Sequence, residues 1–155
     1  MTTETQTPET TEATLPPRGE RKVTLVTTEG ITIECSIMPT LMYIKQHFKE
    51  IVRRQQIVAS KLAGLESQRI ELHMQLTEAI KAKADTAEQV EKDLESLYTE
   101  IDKLEGQSKK MNYELAALCL HFPLVAEKSI TAEQIAWDKC EESEVINAQT
   151  FFLLP

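Results

Sequence analysis

At 155 residues with a net charge of −8 and a pI near 5.0, the chain has room for one modest domain with tails. Its acidity argues against nucleic acid, which requires a basic face to displace counterions. Three cysteines, Cys35, Cys119 and Cys140, are odd in number and widely spaced, which suits a reducing cytoplasm better than a disulfide framework.

Residues 1–20 are rich in Thr, Glu and Pro, with Leu15 the only large apolar side chain after Met1. Such a segment cannot bury enough surface to offset the entropy of ordering and is expected to be a disordered, solvated leader. Met1 opens into Thr and Glu rather than a charged and then an apolar run, so no signal peptide is expected.

Residues 21–40 change character. Val23, Leu25 and Thr27 alternate with Thr24, Val26 and Thr28, and Ile31, Ile33, Cys35 and Ile37 alternate with Thr32, Glu34 and Ser36. Gly30 sits between the two runs, where a short loop needs positive φ, so the spacing predicts a β-hairpin with one apolar face. A hairpin alone is marginal in water and must lie on something. Pro39 closes it, and Thr40 is the expected N-cap of the next helix.

Residues 41–122 carry the strongest signal. The core positions run Ile44, Phe48, Ile51, Gln55, Val58, Leu62, Leu65, Arg69, Leu72, Leu76 and Ala79, then Ala87, Val90, Leu94, Leu97, Ile101, Leu104, Ser108, Met111, Leu115, Leu118 and Phe122. Steps of three and four throughout are the heptad rule that keeps one stripe on a partner helix, so a coiled coil is expected. The phase jump between Ala79 and Ala87 also suits a stutter in one continuous helix. Two features favour a turn near 82–86. Asp85 and Glu88 have the form of a capping box. Residues 41–83 carry eight basic and four acidic side chains, net +4, and residues 86–122 carry four and eight, net −4, so the halves attract when folded back. With the turn at Lys83-Ala84, facing residues have numbers summing to about 166, which sets Leu65 against Ile101, Arg69 against Leu97 and Gln55 against Met111. Gln55 and Ser108 read as register-fixing polar positions, and Arg69 as a long stem in the seam reaching a Glu on the partner helix. A two-helix hairpin has little interior, so its seam calls for completion by the C-terminal segment or by self-association through the coiled coil.

Pro123 is expected to end the second helix. Residues 129–155 then read as two short helices. Thr131 and Gln134 form a capping box with Ile130 stapling onto Ile135, and a last helix runs from about Glu141 to Leu154. Val145, Ile146, Phe151, Phe152, Leu153 and Leu154 give that helix an apolar face, either lent to a protein partner or packed on the hairpin. The expected fold is therefore mainly α: an N-terminal β-hairpin, a long antiparallel helical hairpin and two short C-terminal helices.

No glycine-rich phosphate loop, paired metal-ligand motif or nucleophile elbow occurs. On a helix Cys119 and His121 would diverge by roughly 200°, too far to share a metal. His47 and His73 fall off the seam, and Glu91, Asp93, Glu95 and Glu141, Glu142, Glu144 read as solvated faces. No catalytic residue, metal or cofactor is expected. The longest apolar stretch, Leu115–Ala126, is interrupted and too short to span a bilayer, so no membrane partner is expected either.

Both ends of the chain resemble the small tail assembly chaperones of long-tailed phages of the Mu-like contractile-tailed kind. Those begin with a β-hairpin leading to a Pro-Thr step and a helix, matched by Val23-Thr24-Leu25, Gly30-Ile31-Thr32-Ile33 and Pro39-Thr40. They end with a Leu-Thr-x-Glu-Glu-Ile pattern and an apolar helix, matched by Ile130-Thr131-Ala132-Glu133-Gln134-Ile135, Val145-Ile146-Asn147-Ala148 and Phe151-Phe152-Leu153. The match covers residues 22–42 and 129–154, and the long coiled coil departs from it. The resemblance implies a non-enzymatic factor of the host cytoplasm that keeps the tape-measure protein soluble before tail-tube assembly. The alternative is a coiled-coil structural adaptor or oligomerisation subunit of a larger assembly.

Overall fold

The computed structural model describes residues 16–155 and divides into two compact units, one of residues up to Gln46 together with Leu115–Pro155 and the other His47–Glu114. The expected leader lies outside the described residues over 1–15. Its last part is structured, since Arg18–Glu20 forms a 3-10 turn.

In the first unit β1 (Lys22–Val26) and β2 (Thr32–Ile37) pair antiparallel with Val23 opposite Cys35 and Leu25 opposite Ile33. The Thr27 N–H donates to the Ile31 carbonyl at 2.8 Å, and Gly30 closes the loop at φ +84°, the conformation only glycine takes freely. Val23, Leu25, Thr27, Ile33, Cys35 and Ile37 fill the buried face. Thr40 is no helix cap: its hydroxyl accepts from the Arg18 guanidinium, and α1 (Met42–Lys81) begins two residues later.

The second long helix, α2 (Thr86–Leu118), stops four residues short of Phe122. The chain beyond it becomes β3 (Leu120–His121), pairing Ser36 with His121 and Ile37 with Leu120. The far edge of β2 offers unpaired backbone groups, and pairing there wins over one more helical turn. The next hydrogen-bonded position of that ladder would set Pro123 against Glu34. Proline has no N–H to give, so the ladder ends after two residues. A tight hairpin of β4 (Leu124–Val125) and β5 (Lys128–Ser129) follows, with Ala126 and Glu127 both at positive φ.

The C-terminal stretch holds one α-helix, not two. The Gln134 side chain does accept from the Thr131 N–H at 2.9 Å, but it opens only the 3-10 turn Ala132–Gln134. Ile135 is then pulled out to bridge Thr27, and the Ala136 N–H donates to the Val26 carbonyl at 2.8 Å. The open edge of β1 thereby takes the backbone that a helix would have used. After a second 3-10 turn, Trp137–Lys139, α3 (Glu142–Leu153) packs on β1 and β2 and buries Val145, Ala148 and Phe152, spaced by three and four.

The second unit is the helical hairpin, built from residues 47–81 of α1 and 86–114 of α2. The Ala84 N–H reaches back to the Ala79 carbonyl at 2.9 Å and the Lys83 N–H to the Ile80 carbonyl at 3.1 Å. This is a Schellman closure with Lys83 left-handed at φ 53°. The Asp85–Glu88 box does not form, since neither side chain is hydrogen-bonded among the described residues. Phe48, Ile51, Val58, Ala79, Leu94, Leu97 and Ile101 are buried, and the rest of the seam in this unit is half-buried.

Candidate interaction surface

The hairpin register is visible in its polar contacts. The Gln55 side-chain amide donates to Asn112 Oδ1 at 2.7 Å, and Arg54 lies 3.4 Å from a Glu114 carboxylate oxygen. Facing numbers therefore sum to 167 or 168 by these two contacts. That is one or two residues beyond the 166 centred on Lys83-Ala84, because the Schellman turn adds residues after Lys81. Gln55 thus meets Asn112 instead of Met111. Arg69 does not cross to a Glu on α2. Its Nε donates to Glu66 Oε2 at 2.8 Å on its own helix, and that bond holds its pKa above the ordinary value.

Cys119 and His121 lie beside and within a strand, not on a helix, with the thiol buried and the ring exposed. Burial pushes the Cys35 and Cys119 thiols up to about 12, so neither is a nucleophile near neutral pH. Burial also raises Cys140, whose sulfur lies 3.3 Å from both the Val26 nitrogen and the Ala136 oxygen. His73 is engaged with the Tyr98 hydroxyl at 2.7 Å. No cluster of three or more metal-ligating side chains occurs among the described residues.

The six apolar residues of the last helix separate. Val145 and Phe152 are buried, turned by the 3.6-residue period to β1 and β2, so for these two the packing alternative describes their place. Ile146 and Leu153 project outward about half exposed, and Phe151 and Leu154 are intermediate. A pattern of adjacent hydrophobes could not say which of them the sheet would take.

Compared with family models, with curated proteins and with solved structures, the chain matches none.

Two further surfaces, both on the hairpin, were not singled out by the heptad reading. Ile70 and Met74 stand 54% and 62% exposed on α1. Each is two residues from seam residue Leu72, hence roughly 200° round the helix and facing away from α2. Separately, a groove of about 370 Å³ runs between the helices, floored by Leu65 and Leu104 beside Gly64 and rimmed by the polar residues Lys61, Gln68, Glu100, Lys103 and Gln107. A mid-helix glycine without a packing reason was the available signal. None of the described helices is long and apolar enough to cross a membrane.

Proposed function

We propose that the protein is a non-enzymatic, cytoplasmic binding factor of the tail assembly chaperone kind, which lends apolar helical surface to a long helical client, the tape-measure protein, before tail assembly. The resemblance of residues 22–42 and 129–154 supports the family. The observation that carries the binding role is the outward pair Ile70 and Met74, a turn apart and uncovered, with Arg69, His73 and Thr77 around them. Apolar anchors one turn apart on a rigid helix, ringed by polar groups, match the geometry by which one amphipathic helix receives another. Coexpression with a tape-measure protein tests this. The wild-type chain raises the soluble fraction of the client and is missing from purified particles, whereas Ile70→Asp with Met74→Asp abolishes solubilisation without loss of helicity. Retention in finished particles would favour the structural adaptor, and an unchanged effect of the double variant would remove this surface from the proposal.

A further inference from the structure

The groove between the hairpin helices has a feature its own chain does not explain. Gly64 lies inside α1, where glycine costs helix stability. A Cβ built on Gly64 would meet nothing within 4 Å, so no neighbour in this chain requires the glycine. Beside it the floor residues Leu65 and Leu104 remain half-exposed. Ile57, 50% exposed, stands seven residues before Gly64 on the same helical row. A notch without a Cβ, an open apolar floor and an exposed isoleucine in one line form a seat for a closely approaching helix.

We propose that the seat is taken by a second copy of this chain, giving a four-helix bundle in which each hairpin covers the groove of the other. Charge selects this occupant and its arrangement. Residues 41–83 carry net +4 and residues 86–122 net −4. A two-fold axis along the hairpin lays each basic α1 on the acidic α2 of the second copy, so every helix has oppositely charged neighbours on both sides. An axis across the hairpin sets α1 on α1 and α2 on α2, like against like. In the first arrangement the helices meet at the level they already share within one chain, set by Gln55 with Asn112 and Arg54 with Glu114. Gly64 then lies opposite Leu104 of the second copy, whose side chain fills the notch, and Ile57 lies opposite its Met111. Ile70 and Met74 stay outside this interface, so the dimer stands whether or not the client proposal does.

Sedimentation equilibrium of the full chain, with Gly64 variants beside it, tests the assignment. The wild type is a dimer in the micromolar range; a monomer persisting to about 100 µM overturns the proposal. Gly64→Ala gives the sign that decides. With the groove empty, alanine only improves the helix and leaves self-association unchanged or stronger, which overturns the proposal. With Leu104 of a second copy in the notch, the methyl overpacks it and weakens dimerisation about tenfold or more. Gly64→Leu yields a monomer of unchanged helicity; a Gly64→Leu dimer overturns the interface, and if that variant loses helicity the alanine variant alone decides. Spin labels on Lys81→Cys, in a chain carrying Cys140→Ser, report the axis. Tips at one end place the labels within about 30 Å, whereas separations on the order of 50 Å or more belong to the other axis and overturn the arrangement.

Discussion

At the scale of single residues, two arginines order the first unit in a way that counting hydrophobes cannot foresee. Arg21 is only 5% exposed, yet its guanidinium is spent on backbone carbonyls: Nε on Pro16 at 2.6 Å, Nη1 on Phe151 and Nη2 on Pro155, each at 3.0 Å. Arg18 donates to the Leu154 carbonyl and to Thr40, with its guanidinium carbon 5.8 Å from the Phe152 ring centroid. These bonds tie the segment before β1 to the end of α3. The expectation of a leader to residue 20 rested on apolar area, and Pro16–Glu20 has almost none; what orders it is a planar cation with five donors meeting carbonyls left over at a helix end. Arg21→Met keeps the stem and removes every donor. It leaves three carbonyls without that partner and should lower unfolding free energy by about 2–4 kcal/mol in urea titrations. Arg21→Lys should recover only a minor part, because one ammonium cannot span three acceptors. Equal stability of Lys and Arg variants would contradict this account of the clamp.

At the scale of elements, periodicity announced what would form and competition for backbone partners decided where it would stop. The alternation over residues 22–37 and the heptads over 44–118 were legible because burial on one face imposes a period on the side chains. The ends were not. Residues 119–121 and 134–136 carry plausible helical patterns, yet each lies against an open edge of the β-hairpin, and the unpaired edge groups of β2 and β1 draw them into extended pairing. A local pattern contains no term for a strand edge supplied by residues a hundred positions away. The turn of the helical hairpin shows the same limit at shorter range. Asp85 and Glu88 had the form of a cap, but Lys83 in the left-handed conformation closes α1 by itself. A lysine there carries the Cβ penalty that a glycine avoids. Lys83→Gly should therefore raise stability by about 0.5–1 kcal/mol, seen as a higher midpoint in thermal unfolding, although glycine is the poorest helix former after proline. The same substitution at Lys81, inside the helix, should lower it by a similar amount. Were both substitutions destabilising, the left-handed closure would not be the conformation that ends α1.

At the scale of the whole molecule, the helical hairpin has to solve a problem the small sheet unit does not, namely which of several sliding registers to adopt. Leucines repeated every three or four residues pack tolerably after a shift of one heptad, so the apolar seam alone discriminates weakly between them. The polar members break the degeneracy. Gln55 and Asn112 are both half-buried and share a 2.7 Å hydrogen bond, a contact that a shifted hairpin would lose on both sides. Asn112 is not among the seam positions that the heptad spacing marks, so the partner of Gln55 is not legible in the sequence. Replacing one member leaves a half-buried amide without its bond, so Gln55→Leu should cost about 1–2 kcal/mol, and Asn112→Leu a comparable amount. Replacing both removes the two half-buried amides together and adds apolar contact. The double variant should then be at least as stable as the wild type, a coupling of about 2–4 kcal/mol in a double-mutant cycle by urea unfolding. The consequence for uniqueness runs the other way. With only leucines at that layer, shifted pairings lose their penalty, and the double variant should show broadened or doubled amide resonances in residues 47–114 while those of residues 22–37 stay single. Additive single effects with one sharp set of resonances would mean that the register is held elsewhere, leaving the salt bridge of Arg54 with Glu114 and the length of the Schellman turn as the restraints to be broken next.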